Sequence, residues 1–317
     1  MTCDLSIITV TYQSEDYIQN CLVSVMKHIK DLSYEHIVID NDSTDATVPK
    51  VEALAFLPHI KLIQTGRNIG FARANQIGFD ASKGRVILFL NPDMEMKQGF
   101  LDDLVQTLDS DPHIGILSCK LMLLDGSYTY PVKTTGKLIY FISLFHWFAK
   151  SKTLLKKSSY IEFDIECEQE VGHVKGAFMM MPRFLLSEIG HAFDPRYVLL
   201  QEDVDLSREV TGRGYKIIHS PKTTCIDFNN RSMSRCPSMM PCLCNIRGIL
   251  TYVNKWFAPT HLLWSAMGAG LYFLRILWRA GFKASWQGYK LYRHLVKNCK
   301  EYDREKSAKL QKQSGIY

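Results

Sequence analysis

The sequence has little that would indicate a secreted, membrane-spanning or disordered protein. Its first residues, Met1 to Leu5, lack the basic and long apolar segments of a secretory signal. The longest uncharged apolar run near the end of the chain, about His261 to Leu274, is shorter than the ~18–20 residues that cross a bilayer. With 11 prolines, 46% apolar and 22% charged residues, the 317-residue chain has the composition of a globular protein with a substantial core.

A cysteine framework is also missing. The nine cysteines are scattered, and the spacing of Cys236, Cys242 and Cys244 matches no common zinc pattern. We therefore predict reduced thiols and a cytoplasmic protein.

Basic charge is concentrated near the end of the chain. Residues 275–312 contain eleven Lys or Arg against three Asp or Glu, whereas the net charge of the whole chain is +6. Within Ala284–Lys297, aromatic and aliphatic residues recur near helical spacing with cations between them. This pattern predicts an amphipathic helix on an anionic membrane surface, and a packed helical subdomain with a basic outer face is the alternative. No nucleic-acid-binding motif accompanies the basic residues, so we predict no nucleic-acid partner.

What is present in the first half is an alternation of strand and helix patterns. Apolar, β-branched runs at Leu5–Tyr12, His36–Asp40, Ile60–Thr65 and Arg85–Leu90 alternate with helix-period segments. This alternation predicts an α/β protein with a mostly parallel sheet and helices on both faces.

Unusual polar residues lie at the carboxyl ends of three of these strands. They are Thr11 with Tyr12, the run from Asp40 to Asp42, and Asn91 with Asp93. Ligands in such sheets bind at the carboxyl ends of the strands, so we expect these side chains to share one functional edge.

Asp93 has two interpretations. A single carboxylate after a buried strand is a typical protein ligand of Mg²⁺ or Mn²⁺ held mainly by a diphosphate and water. The alternative is an aspartate that caps the turn after Pro92. The run that follows Asp40 is equally open, since Asx side chains also stabilise turns and cap helices.

Glu202, Asp203 and Asp205 form the densest acidic cluster. Acids at a helix start favour the helix dipole, which explains part of the cluster. Helical spacing puts Glu202 and Asp205 on one face and leaves Asp203 to project elsewhere. A carboxylate presented singly to a cleft could act as a general base toward a hydroxyl.

Taken together, six segments resemble the inverting nucleotide-sugar glycosyltransferases of family 2, which have the GT-A fold. The resemblance covers about residues 5–257, and within the family it is strongest for bacterial rhamnosyltransferases of O-antigen or capsule assembly. The matching segments are SIITVTYQSEDYIQNCL, HIVIDNDSTD, NIGFARANQIGF, ILFLNPDMEM, VKGAFMMMPRFLLSEIGHAFDPRY and QEDVDLSREVTGRGYKI.

The resemblance implies a role for each matching residue. The residues that it implies in nucleotide binding are Thr11, Tyr12, Asp40, Asn41, Arg73 and Asn75. It implies a divalent cation, Mg²⁺ or Mn²⁺, held by Asp93 and Asp227. It further implies catalysis by Asp203 as base together with Glu202, and substrate contacts by Gly176 and Asp205. Asp227 stands where many relatives have histidine, so the cation could also be held by Asp93 alone.

The resemblance further implies transfer of a sugar, with L-rhamnose from dTDP-rhamnose as the leading donor, to a polyprenyl-diphosphate-linked saccharide. The expected location is the inner face of a bacterial cell membrane, as a peripheral protein, and a homodimer is left open. A UDP- or GDP-sugar donor, or a non-catalytic sugar-nucleotide-binding protein, are the alternatives. We predict a GT-A domain at 1–235, with a nucleotide half at 1–120 and an acceptor half at 121–235, followed by a helical, membrane-associating region at 236–317.

Overall fold

A computed structural model describes residues 3–129, 163–228, 239–257 and 281–314, with five single positions between 258 and 280. In this part of the chain, ten strands form one sheet in the order β3-β2-β1-β4-β9-β6-β10-β5, with β7 beside β6 and β8 beside β10. The strands are β1 (Leu5–Thr11), β2 (Tyr34–Asp40), β3 (Ile60–Gln64), β4 (Val86–Leu90), β5 (Met94–Gln98), β6 (Ile114–Leu123), β7 (Tyr128–Thr129), β8 (Gln169–Val171), β9 (Phe178–Pro182) and β10 (Lys216–Asp227). The helices are α1 (Ile18–Lys27), α2 (Thr47–Glu52), α3 (Phe71–Ala81), α4 (Leu101–Ser110), α5 (Arg183–Ile189), α6 (Glu202–Gly212), α7 (Met239–Trp256) and α8 (Phe282–Ser314).

The first strand shows why this sequence forms a two-sided sheet. Every residue of β1 is buried. Ile7 packs in one cluster with Cys21 of α1, whereas Ile8 packs in another with Ala72 of α3. Successive side chains of a strand point to opposite faces, so a continuous apolar run requires a helix on each face.

The predicted α/β fold is confirmed. β1 runs parallel to β2 and β4, β2 runs parallel to β3, and β10 runs parallel to β6. β9 lies antiparallel between β4 and β6, so these two strands share the common direction. The carboxyl ends of β1, β2 and β4 therefore meet at one edge, as the sequence predicted.

Apolar and β-branched runs in the second half of the sequence also predict strands at 171–181, 215–219 and 223–228, and the structure differs from these predictions in detail. The run Val171–Met181 forms two strands, β8 and β9, and the intervening loop carries Gly176, whose N–H donates to the side chain of Asp203. Two strands predicted at 215–219 and 223–228 are a single β10, in which the register shifts between Ser220 and Thr224.

The C-terminal helices pack against the sheet domain. Val198 packs with Met240 and Cys244 of α7 and with Leu295 and Cys299 of α8. Leu295 belongs to the predicted amphipathic segment, so part of the apolar face of that segment is covered by protein. Trp286 on the same helix remains 55% exposed.

None of the described helices is both long and apolar enough to cross a membrane. The predicted domain boundary at 235 lies outside the described residues, and the division into domains stays a prediction.

Candidate active site

A cavity of about 310 Å³ lies at the carboxyl edge of the sheet. Its walls come from the ends of β1, β2 and β4, from the loop before β9, from the segment leading into α6, and from Met240 and Leu295 of the C-terminal helices. Among the predicted site residues, the wall includes Tyr12, Asn41, Asp93, Gly176, Glu202, Asp203 and Asp227. Asp93 and Asp203, which are far apart in the chain, thus face the same cavity.

Two aspartates of the cavity wall lie where β5 begins and where β10 ends: Asp93 directly precedes β5, and Asp227 is the last residue of β10. β5 pairs antiparallel with β10 so that Asp227 is opposite Met94, and the N–H of Phe228 donates to the carbonyl of Asp93 at 3.1 Å. Asp93 and Asp227 are each 4% exposed. The ammonium of Lys175 lies 3.2 Å from Oδ2 of Asp227 and supplies positive charge to the same wall.

These aspartates suit a divalent cation. Carboxylate oxygens are the donors that Mg²⁺ and Mn²⁺ prefer, and Asp93 and Asp227 contribute two carboxylates to the wall of one cavity. A buried carboxylate needs a compensating positive charge, which Lys175 supplies at Asp227. The donor set therefore fits the predicted cofactor.

Asp203 lines the same cavity from the first turn of α6. The N–H of Gly176 donates to Oδ2 at 2.9 Å, and the N–H of Val204 donates to Oδ1 at 2.8 Å. Burial acts to raise the pKa of Asp203, but His173 and these two backbone donors outweigh it, so the pKa lies below its ordinary value. Asp203 is therefore an ionised carboxylate at neutral pH.

Glu202 is in the opposite ionisation state. Burial, reinforced by the charge of Asp203, raises the pKa of Glu202 to about 8. Its Oε2 is buried without a hydrogen-bond partner among the described residues. Neighbouring carboxyls thus present an acceptor, Asp203, and a protonated group that can donate, Glu202.

The turn that presents this pair is strained. Leu200 and Gln201 both have positive φ angles, 71° and 74°, although neither is glycine. α7 approaches closely here: a Cβ on Gly248 would lie 2.6 Å from the carbonyl oxygen of Leu200. Such conformations persist only where the surroundings enforce them, and they concentrate at functional sites.

Asn41 organises a loop as well as lining the cavity. Its Nδ2 donates to Oδ1 of Asn68 at 3.0 Å, and its Oδ1 accepts from the N–H of Ile69 at 2.9 Å. Thr11 and Asp40 are buried at the ends of β1 and β2 and are not part of the cavity wall. Oγ1 of Thr11 and Oδ1 of Asp40 have no hydrogen-bond partner among the described residues.

Three further predicted site residues are not among those that line the cavity, and their roles stay predictions. Arg73 forms a two-pronged ion pair with Asp303 of α8, at 2.7 and 2.8 Å, and Asn75 donates to the carbonyl of its own helix at Phe71. Asp205 is completely buried. It accepts hydrogen bonds from Lys255 and Trp256, both at 2.6 Å, which attach α6 to the end of α7.

Sequence reasoning missed His173 and Lys175. His173 lies with its Nε2 3.7 Å from Oδ2 of Asp203, and Lys175 lines the cavity. Their only signal was a histidine and a lysine interrupting an apolar run that had been interpreted as one strand. The apolar walls from Met240 and Leu295 had no local signal, because both residues fit an ordinary buried helix.

A second group of possible metal ligands, His191, Asp194 and Glu209, has its ligand atoms within 4.8 Å of one another. The ammonium of Lys255 lies 2.9 Å from Asp194 and also contacts Glu209. A lysine already neutralises these carboxylates, so we interpret the group as a salt-bridge network that braces α6 and α7.

Curated relatives include sugar transferases. The chain is 25% identical over 253 residues to the N-acetylglucosaminyl-diphospho-decaprenol L-rhamnosyltransferase of Mycobacterium tuberculosis, covering 75% of this chain and 80% of that protein. It is 22% identical over 237 residues to the O-antigen biosynthesis protein RfbC of Myxococcus xanthus, covering 73% of this chain and 18% of that protein.

Solved structures support the fold. GalNAc-T7, crystallised with UDP, GalNAc and Mn²⁺, matches with a TM-score of 0.61 at 15% identity, over 81% of this chain and about half (49%) of that one. S. aureus TarS 1–349 matches with a TM-score of 0.52 at 19% identity, over 87% of this chain and 72% of that one. The sequence profile of Glycosyl transferase family 2 matches residues 6–190, more than half of the chain. The chain belongs to this family and is a glycosyltransferase with the GT-A fold.

Proposed function

We propose that this glycosyltransferase inverts configuration in a single displacement on a nucleotide-sugar donor. The observation that carries the proposal is the shared cavity, whose wall includes Asp93, Asp227 and the ionised Asp203. In this proposal Asp93 and Asp227 serve the diphosphate of the donor, and Asp203 serves the acceptor hydroxyl.

In this mechanism Asp203 accepts the proton of the acceptor hydroxyl. The oxygen of that hydroxyl forms a bond to the anomeric carbon as the bond from this carbon to the diphosphate oxygen breaks. Glu202, protonated at neutral pH, donates a hydrogen bond to a sugar oxygen. The apolar side chains of Met240 and Leu295 help to exclude water, which would otherwise compete as acceptor.

Asp93 and Asp227 would hold a divalent cation, Mg²⁺ or Mn²⁺. When bound, it would supply a positive charge against the negative charge that develops on the leaving nucleotide. Lys175, on the same wall, is positioned to add to this field.

For the donor we propose L-rhamnose from dTDP-rhamnose, and for the acceptor a hydroxyl of a polyprenyl-diphosphate-linked saccharide. The support is the likeness to an L-rhamnosyltransferase whose name specifies a lipid-linked diphosphate acceptor, over three quarters of this chain. A lipid-linked acceptor favours a peripheral location on the inner face of the cell membrane, with the basic α8 toward anionic lipid.

A donor screen tests this assignment. Purified protein with Mn²⁺ or Mg²⁺ and a polyprenyl-diphosphate saccharide is given dTDP-, UDP- and GDP-sugars, and nucleotide release is measured. We expect the fastest release with dTDP-rhamnose. Asp203→Asn should lower it by at least about a hundredfold, as loss of a general base does.

The matched control is Asp111→Asn, since Asp111 lies outside the cavity and pairs with Lys216 at 3.0 Å. This variant should keep the wild-type rate. Faster release from a UDP- or GDP-sugar would replace the donor and retain the mechanism. No release with any donor, or full activity in Asp203→Asn, would refute the proposed function.

A further inference from the structure

His173 has a buried ring nitrogen close to the carboxylate of Asp203. Its Nε2 has no hydrogen-bond partner among the described residues, and burying a polar group in that state is destabilising. The carboxylate oxygen Oδ2 of Asp203 is 3.7 Å away, just beyond hydrogen-bond distance.

The location of His173 limits what it can do. It is two residues from Lys175 and three from Gly176, and both of these line the cavity, whereas His173 does not. His173 therefore reaches the reacting atoms only through Asp203, which does line the cavity.

We propose that His173 is the positioning residue of the base: its Nε2–H donates to Oδ2 of Asp203 once substrates fill the cavity, and this bond keeps the carboxylate oriented and ionised. The inference rests on Asp203 being the base. An ionised carboxylate only accepts hydrogen bonds, so Nε2 must carry the proton. Catalytic hydrogen bonds are often long without substrate and shorten in the complex, which accounts for the present separation.

The charges around the pair support this role. Oδ2 already accepts from Gly176, so the imidazole would be its second donor. Glu202, the nearest carboxyl on α6, holds its proton at neutral pH because its pKa is raised to about 8. Lys175, on the same loop as His173, extends its ammonium to Asp227. Among the described residues, His173 is thus a side-chain donor that lies against Asp203.

The test compares two substitutions at His173 in the full-length enzyme. His173→Leu removes the donor and should lower kcat about 10–100-fold with little change in KM, the range typical of groups that orient a reacting ligand. The acidic limb of the kcat/KM profile should move up by about 0.5–1 pH unit, because loss of a donor makes a carboxylate easier to protonate. His173→Gln retains an N–H donor and should restore most of kcat and the original profile.

His191→Leu is the matched control. His191 lies 3.6 Å from Glu209, a similar histidine–carboxylate pair that does not line the cavity. Its pH profile should match that of the wild type. A similar shift in this variant would overturn the specific role of His173.

A spectroscopic readout is independent of turnover. The enzyme is saturated with nucleotide, Mg²⁺ and an acceptor analogue, and paramagnetic Mn²⁺ is left out. Proton NMR should then show a slowly exchanging N–H resonance of the His173 imidazole, downfield of the amide resonances. It should be missing in His173→Leu and in Asp203→Asn.

The outcomes separate the two levels of the argument. If Asp203→Asn retains full activity, the base assignment fails, and the role of His173 fails with it. If Asp203→Asn is inactive but His173→Leu keeps the wild-type profile, only the inference about His173 is overturned. Lower stability of His173→Leu with an unshifted profile would equally overturn it, since that result indicates a purely structural residue.

Discussion

The backbone N–H of Gly176 donates to Oδ2 of Asp203 across 2.9 Å. This bond links the loop between β8 and β9 to the first turn of α6, elements that are distant in sequence. The proposed base is thus oriented by a neighbouring backbone as well as by its own helix.

Gly176→Ala should damage catalysis more than folding. The added Cβ would lie 3.2 Å from Cβ of Asp203, closer than most such contacts, so the carboxylate must shift by a few tenths of an ångström. We expect a loss of kcat of about tenfold or more, since small misplacements of catalytic groups are costly. Gly212→Ala on α6, where a Cβ meets open space, should leave kcat unchanged. Equal rates for the two variants would contradict this.

Asp93→Asn should weaken cation binding. Removing a carboxylate ligand takes away both charge and a hard oxygen donor, so Mn²⁺ affinity measured by electron paramagnetic resonance in the presence of nucleotide should fall about tenfold or more. Asp227→Asn should have a smaller effect, because Lys175 already neutralises part of its charge. Unchanged Mn²⁺ affinity in both variants would exclude this pair as the cation site.

Glu202 makes the stability of the ligand-free protein depend on pH. Its pKa is raised from 4.5 to about 8, so between these values the folded protein holds a proton that the unfolded chain has released. The contribution of protonated Glu202 is complete below the lower value and is lost as pH rises through the upper one.

Glu202→Gln stays neutral at every pH. Its free energy of unfolding minus that of the wild type should therefore be larger at about pH 9 than at about pH 5, by at least about 1 kcal/mol. Urea unfolding at the two pH values measures this. A difference that stays constant with pH would mean that Glu202 ionises normally in the folded protein.

Lys255→Met should be strongly destabilising. Its ammonium contacts Asp194, Asp205 and Glu209, and each of these carboxylates is at least nine-tenths buried. Breaking a buried ion pair typically costs about 3–5 kcal/mol, because a charge is left without compensation.

Lys97→Met is the control for this change, since Lys97 pairs with Glu95 at a site where its side chain is 41% exposed. Its free energy of unfolding should change by less than about 1 kcal/mol. Similar values for the two lysine variants would argue against the network that joins α6 and α7.

Local patterns in the sequence were sufficient for the central parallel strands and for part of the cavity wall. The β-branched run of β1 and the polar residues after β4 identified the carboxyl edge, because a buried strand and the residues that end it can be recognised from neighbouring positions. The ion pair of Arg73 could not be predicted, because its partner, Asp303, is 230 positions away. His173 was missed because only the folded chain shows that the loop after β8 leaves the sheet and approaches α6.

Through Leu295, the C-terminal helix α8 lines the cavity in which the donor is proposed to react. Its neighbour one turn on, Cys299, donates through Sγ to the carbonyl of Ile69, and Asp303 clamps Arg73, so α8 fastens the segment that begins α3. A protein truncated before α8 would keep the acidic residues of the cavity and lose the part of its wall that Leu295 forms. In such a fragment we expect water to enter and to hydrolyse the donor sugar.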